Sequence, residues 1–159
     1  MTKAQKISLL LLRLSLGSLF FYGGIIKIMD PNWSAAAYLR GAKTFASFYL
    51  WLMQPGILPV VNFLNEWGLT LLGWALILGI FVRLAAYAGV PLMLLYYFSQ
   101  STMRFPFPSA GSFIFDQRII FSLALILLAN FEAGRYWGLE DWCRNLPICS
   151  RFPKLRDWL

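Results

Sequence analysis

Apolar runs alternate with short polar or proline-containing breaks along the whole chain. The runs cover about residues 7–26, 60–81, 84–98 and 113–131. As a helix rising 1.5 Å per residue, the first run would be about 30 Å long, enough to cross the hydrocarbon core once. The third run is short and contains Pro91, which a membrane helix tolerates and which predicts a kink. The pattern therefore predicts an all-α protein, with residues 1–131 forming a polytopic membrane four-helix bundle.

The segment between the first two runs has a different pattern. Over residues 35–54, Arg40, Lys43, Thr44 and Ser47 fall on one side at helical spacing, and the aromatic residues lie largely elsewhere. Such a helix is expected to lie at the membrane interface rather than to cross it. If it crossed, it would be a fifth span, and the two termini would lie on opposite sides of the membrane.

Basic residues predict the orientation. The N-terminus, the turn at residues 82–84 and the tail at residues 132–159 contain Lys3, Lys6, Arg83, Arg135, Arg144, Arg151, Lys154 and Arg156. The opposite loops contain only Lys27, Arg40, Lys43 and Arg104. Because positive loops stay in the cytoplasm, we expect both termini to be cytoplasmic in a cell (inner or plasma) membrane. Residues 132–159 would then be a basic cytoplasmic tail.

Composition supports lipid as the main solvent. The chain is 59% hydrophobic and 13% charged, whereas soluble domains carry about 25% charged residues. The net charge of +7 is spread over the ends of apolar runs, which favours anionic headgroups over nucleic acid. The chain has no histidine and two cysteines. No haem, iron–sulfur cluster or metal is therefore expected in this chain.

Polar residues converge at the predicted outer ends of the spans. They are Lys27, Asp30, Asn62, Asn65, Glu66, Asp116, Gln117 and Arg118. Ionisable groups inside a membrane are functional-site hypotheses by default, and Glu66 is expected to face the bundle and meet Lys27 or Arg118. A structural interpretation stays open, since Asp116 can complement a helix dipole, Lys27 can snorkel, and ion pairs can fix helix packing.

Helical spacing also predicts the packing faces. The first helix places Arg13, Gly17, Phe20, Gly24 and Lys27 on one face. The second places Asn62, Glu66, Thr70 and Gly73 together. Small residues on these faces favour close helix packing. Arg13 is expected to snorkel to the inner headgroups, with a proton or anion path as the alternative. The aromatic residues are expected to form interfacial belts, with stacking on a quinone ring as the alternative: Trp33, Trp51, Trp67, Tyr96 and Tyr97.

Two motifs carry a family resemblance. Gly24, Lys27, Asp30 and Pro31 form a G-x-x-K-x-x-D-P pattern, and residues 65–68 read N-E-W-G. In this order they resemble the DoxX family of membrane proteins, over about residues 7–131. Many relatives carry D-E-H at the start of the fourth helix, where this chain has D-Q-R at residues 116–118.

The resemblance implies a four-helix inner-membrane protein and two alternative functions. One is a quinone-linked membrane subunit, related to the small DoxD-type subunit of thiosulfate:quinone oxidoreductase, that works with a protein partner. Glu66 and Asp116 would exchange protons, and the substrate-binding residues would be Lys27, Asp30, Asn65, Trp67 and Arg118. The other is a non-enzymatic scaffold or assembly factor for membrane proteins. Both involve the lipid bilayer, neither involves nucleic acid, and a homo-oligomer stays open.

Overall fold

The computed structural model describes residues 1–42, 44–100 and 116–140, and these residues form helices without any strand. The elements are α1 (Lys3–Met29), α2 (Ala36–Arg40), α3 (Ala46–Leu52), α4 (Leu58–Leu78), α5 (Val82–Gln100), α6 (Gln117–Asn130) and a 3₁₀-helix at Ala133–Arg135. Within the described ranges, three helices are long and apolar enough to cross a membrane: Lys3–Met29, Leu58–Leu78 and Val82–Ser99. The prediction of an all-α membrane protein is confirmed at this level. The fourth predicted run is the shorter apolar helix α6, and residues 113–115 of that run lie outside the described residues.

The first helix is longer than the apolar run that predicts it. Its N-terminus has a capping box, in which the Thr2 hydroxyl accepts from the Gln5 backbone N–H at 3.3 Å and the Gln5 side chain accepts from the Thr2 N–H at 2.8 Å. These bonds satisfy two N–H groups that have no partner inside the helix. The helix ends at Met29, because Asp30 has an extended backbone and Pro31 has no N–H to continue the ladder.

Helices α1 and α4 pack closely along the two faces that the spacing predicts. A Cβ atom added to Gly24 would overlap Thr70 of α4, and one added to Gly73 of α4 would overlap the backbone of Phe21. At Gly17 it would lie 2.9 Å from the Ile77 side chain. The absence of side chains at these glycines therefore lets the two backbones approach each other.

The other extensive helix pair is α5 with α6, and α4 joins the two pairs through its contact with α5. Residues 79–81 connect α4 to α5 directly, so these helices run antiparallel. Gly79 takes the left-handed conformation that ends α4, with φ of 68°. Buried leucines and alanines form the core between the pairs: Leu72, Leu76, Ala86, Leu125 and Leu128.

Two short helices replace the single amphipathic helix expected over residues 35–54. Helix α2 ends at Arg40 with Gly41 as its C-cap, and α3 starts after Phe45, which has a positive φ of 55°. Lys43 lies outside the described residues. A second small core packs these helices against α4 and α5, and the Tyr49 hydroxyl donates to the Leu95 carbonyl at 2.7 Å. The break lies between Gly41, which caps α2, and Phe45, whose positive φ a continuous α-helix does not contain. The segment thus covers the end of the molecule where α1 finishes, here called the outer end.

At the opposite, inner end the expectation for Arg13 is wrong. Its side chain does not reach outward to headgroups but is 1% exposed. The guanidinium donates to the backbone carbonyls of Ala133, Tyr136 and Trp137 at 2.8, 3.4 and 3.3 Å. These carbonyls follow the end of α6, where the chain supplies no regular helical partner. Residues 132–140 therefore pack against the helix ends, while residues 141–159 of the predicted tail lie outside the described residues.

Candidate functional site

A cavity of about 890 Å³ lies at the outer end of the helices. This volume falls within the range of about 300–1,000 Å³ that is usual for small-molecule sites. The polar lining comes from separate elements: Lys27, Asp30, Tyr38, Asn65, Tyr96, Ser99, Asp116 and Arg118. Deeper walls are apolar and include Phe20, Leu69, Met93 and Phe121. The cavity therefore suits a molecule with a polar head and an apolar body.

Lys27, Asn65 and Tyr96 form the first polar cluster of the cavity. The Lys27 ammonium donates to the Asn65 side-chain oxygen at 2.5 Å and to the Tyr96 hydroxyl at 3.1 Å. The Tyr96 hydroxyl donates to the same Asn65 oxygen. Close packing at Gly24, one turn before Lys27, brings α1 near enough to α4 for the first bond. Two of the three N–H groups of Lys27 are thus used, and among the described residues the third is available to a ligand.

Aromatic rings enclose the same ammonium group. The Lys27 nitrogen lies 4.8 Å from the centroid of the Trp33 ring and 5.3 Å from that of Tyr96. Both distances lie within the range of cation–π attraction. Trp33 and Tyr96 therefore stabilise the Lys27 cation through cation–π contacts. This role adds to the interfacial belt that the sequence predicts for them.

Arg118, Asp116 and Tyr38 form the second polar cluster. Arg118 donates to the Asp116 carboxylate at 2.7 Å and to the Tyr38 hydroxyl at 2.8 Å. The other Asp116 oxygen accepts from the Gln117 N–H at 2.7 Å and caps α6. Burial raises the pKa of Tyr38, against a smaller lowering by the positive charge of Arg118. The Tyr38 phenol is therefore neutral at neutral pH, and its own O–H can donate to a ligand.

The two clusters meet at a pair of tyrosine rings. Tyr38 and Tyr96 pack edge to face with ring centroids 5.6 Å apart. The backbone beside Tyr38 is fixed as well, because the Ala35 N–H donates to the Asn62 side chain at 3.0 Å. The cavity thus presents the cations of Lys27 and Arg118 on either side of the Tyr38–Tyr96 ring pair. The third N–H of Lys27 and the O–H of Tyr38 are its hydrogen-bond donors. This arrangement can bind an acceptor-rich head group and stabilise negative charge that develops on it.

Five of the seven candidate residues from the sequence border this cavity. They are Lys27, Asp30, Asn65, Asp116 and Arg118. Their assigned roles in binding and proton exchange stay predictions.

Glu66 and Trp67 do not line the cavity. Trp67 is 44% exposed and packs against the Phe63 ring at 6.3 Å. Within the described part of the chain Glu66 forms no ion pair, although its charge acts on Lys27 at longer range. The expected direct pair of Glu66 with Lys27 or Arg118 does not form, since those cations bond to other groups.

The sequence interpretation did not include Tyr38 in the site. Its position depends on how residues 30–57 fold back over the outer end, which hydrophobic periodicity does not encode. Tyr96 was noted only as an aromatic residue near a span end. In an up-and-down arrangement the end of α5 lies beside the end of α1 and the start of α4, and this alternation could have placed Tyr96 beside Lys27 and Asn65.

Comparison with curated proteins and with solved structures gives no match. The model of one family does match, and it covers residues 8–101. This range contains α4, α5 and α1 from residue 8 onward, together with Lys27, Asn65 and Tyr96, whereas Arg118 lies beyond it. More than half of the chain is matched, and the protein therefore belongs to the DoxX family.

Proposed function

We propose that this protein is a membrane subunit of a quinone-linked redox complex, and that the outer cavity holds the quinone head group. The observation that carries the proposal is the pair of donor clusters, Lys27–Asn65–Tyr96 and Arg118–Tyr38, at the polar end of an otherwise apolar cavity. Quinone rings carry carbonyl acceptors at the head and a hydrocarbon tail. The cavity has the matching polarity at each end.

The residues of this chain would bind and orient such a head group. The third N–H of Lys27 and the O–H of Tyr38 would donate to its carbonyl oxygens, and both cations would stabilise negative charge gained on reduction. When bound, a quinone supplies two-electron, two-proton chemistry. Electrons would come from a partner subunit or a small reductant. Asp116 is committed to capping α6 and to Arg118, so proton exchange by this group would require the Arg118 pair to open.

The same proposal includes the full topology. Helix α6 packs along α5 and, with the residues before it, would be the fourth span of the bundle. Helices α2 and α3 would lie at the outer interface of the cell inner membrane. The basic residues near the inner end, with Lys3 and Lys6 in the first turn of α1, support cytoplasmic termini.

The test is quinone binding by protein purified gently from native membranes, with any partners retained. We expect bound quinone in the extract and saturable binding of a short-chain quinone. Lys27→Met should weaken that binding about 10- to 100-fold, the equivalent of about 1.5–3 kcal/mol for a charged hydrogen bond. Lys3→Met, at the opposite end of the same helix, is the matched control and should bind normally. A purified complex that neither contains nor binds quinone would contradict the proposal.

A specific observation favours a second function, that of a scaffold or assembly factor. Glu66 and Trp67 belong to the N-E-W-G motif but do not line the cavity, and Trp67 and Phe63 are exposed on α4. These residues would then contact a client or partner helix. Glu66→Gln separates the two functions: a scaffold loses partner recovery together with abundance, whereas a redox subunit keeps its abundance and its quinone binding, because Glu66 does not line the cavity.

A further inference from the structure

The cavity has one weakly packed side, between α1 and α6. Helix α1 contacts α4 extensively and α6 only sparsely among the described residues. The aromatic contact across this side is the edge-to-face pair of Phe20 and Phe121, with centroids 5.8 Å apart. The helices therefore form two firm pairs, α1 with α4 and α5 with α6, and the cavity lies where the pairs meet.

Two neighbouring glycines of α1 have opposite surroundings. A Cβ added to Gly24 would overlap Thr70 of α4, whereas one added to Gly23 would meet no described atom within 4 Å. Gly23 nevertheless lines the cavity, as does Leu19 one turn earlier, and Leu19 is 43% exposed. The side of α1 that carries Leu19 and Gly23 is thus turned away from α4 and is open.

The open side of α1 that carries Leu19, Gly23 and Lys27, here called the open strip, runs from the polar clusters toward the middle of the membrane. Leu19, Gly23 and Lys27 follow each other at four-residue intervals and share one side of the helix. At 1.5 Å per residue, Leu19 lies about 12 Å from Lys27 along the helix axis. A chain-like apolar group placed on this strip would have its end at the Lys27 ammonium.

Part of the outer end, in contrast, is covered by the segment that carries α2 and α3. Ala35, Leu39 and Tyr49 are buried, the Ala35 N–H is bonded to Asn62 at 3.0 Å, and the Tyr49 hydroxyl is bonded to α5 at 2.7 Å. Entry through this part of the outer end would require the packed segment to move. Entry between α1 and α6 would displace lipid tails and separate the Phe20–Phe121 ring contact, but it would leave both firm helix pairs intact.

We infer that the cavity is filled sideways from the bilayer, between α1 and α6, by a lipid-dissolved molecule whose hydrocarbon tail lies along Leu19 and Gly23 and whose head lies at Lys27. The identity of the head as a quinone rests on the proposed function, whereas the route does not. Because the tail is already in hydrocarbon before it binds, the strip contributes a path and an alignment rather than hydrophobic affinity.

A bulky residue at Gly23 should therefore block tailed ligands alone. The probes are a benzoquinone with a long alkyl tail and the same ring with a methyl group in its place. In Gly23→Phe we expect binding of the tailed quinone to weaken about tenfold or more through steric exclusion, with the tail-less one changed less than about twofold. Gly68→Phe is the matched control, because a Cβ on Gly68 also meets nothing within 4 Å and Gly68 does not line the cavity. Equal effects on both quinones, or an effect on neither, would overturn the inference.

A second measurement does not depend on quinone. A fluorophore attached at Gly23→Cys, in a chain with Cys143→Ser and Cys149→Ser, is reconstituted in vesicles with brominated acyl chains or treated with iodide. We expect strong quenching by the brominated lipid and weak quenching by iodide. The reverse would overturn the lateral route. If lipid quenching is strong but the unmodified protein binds neither quinone, the proposed function fails while the route stands.

Discussion

The Arg13 guanidinium donates a 2.8 Å hydrogen bond to the backbone carbonyl of Ala133, and this bond joins α1 to the segment that follows α6. The surrounding glycines leave room for it. A Cβ on Gly79 would lie 2.5 Å from an Arg13 nitrogen, and one on Gly138 would lie 2.9 Å from the same nitrogen. Glu140 is also buried, and its charge acts on Arg13. The inner end of the molecule is therefore closed around one buried cation.

Replacing Arg13 should destabilise the protein strongly. In Arg13→Met the carbonyls of Ala133, Tyr136 and Trp137 lose their donor, and the buried Glu140 loses a compensating charge. Breaking such a buried charged contact typically costs about 3–5 kcal/mol, so we expect a clear drop in the melting temperature of the detergent-solubilised protein. Lys3→Met, at the exposed start of the same helix, is the control. A melting temperature for Arg13→Met equal to that of the control would show that the contact is not important for folding.

The α1–α4 contact predicts a sharp difference between two adjacent substitutions. Gly24→Ala introduces a Cβ into the Thr70 backbone and side chain, whereas Gly23→Ala places one in open space. Overpacking typically costs about 1–3 kcal/mol, while alanine in place of an unconstrained helical glycine stabilises by about 1 kcal/mol. Unfolding in mixed detergent should therefore occur at lower denaturant for Gly24→Ala and at equal or higher denaturant for Gly23→Ala. Equal shifts in the two variants would mean that α1 and α4 are not held together at Gly24.

These glycines also show how far the sequence alone can go. The three- and four-residue spacing around Gly17 and Gly24 on α1, and around Gly73 on α4, predicts which faces of the two helices meet, because a periodic pattern records which side of a helix is packed. The same spacing predicts that Glu66 meets Lys27, whereas in the structure Lys27 bonds to the neighbouring Asn65. Periodicity thus predicts the packed faces of regular helices but not each side-chain pair between them.

Contacts with irregular segments could not be predicted in this way. The partners of Arg13 are backbone carbonyls beyond α6, in a segment where Glu132 and Trp137 have positive φ values of 47° and 54°. Such conformations are uncommon for non-glycine residues and have no clear sequence signal. The position of Tyr38 could not be predicted for the same reason, since it depends on the fold of residues 30–57.

Tyr38 predicts a pH dependence of stability. Burial raises the pKa of its phenol above the usual value near 10, so the folded protein holds this proton more tightly than the unfolded chain. The resulting stabilisation is complete below the unfolded pKa and is lost as the pH rises through the folded pKa. Melting temperatures measured from pH 8 to pH 11 should fall at the alkaline end, and less steeply in Tyr38→Phe. Tyr22→Phe, at an exposed position on α1, should follow the unmodified protein; a Tyr38→Phe curve with the same slope would contradict the assignment.

Lys27 and Asn65 should act as one unit in ligand binding. The Asn65 oxygen accepts from both Lys27 and Tyr96, so Asn65→Leu removes the group that positions the ammonium at the cavity. If this positioning matters, Asn65→Leu and Lys27→Met will each weaken quinone binding, and the double variant will be little worse than Lys27→Met alone. Contacting residues typically show coupling energies of about 0.5–3 kcal/mol in such cycles, measurable by titration in detergent.

Asn62→Leu serves as the comparison, because Asn62 bonds to the segment over the cavity rather than to Lys27, and its effect should add to that of Lys27→Met. Additive effects of Asn65→Leu and Lys27→Met would contradict this coupling. They would mean that the rings of Trp33 and Tyr96, rather than Asn65, orient Lys27.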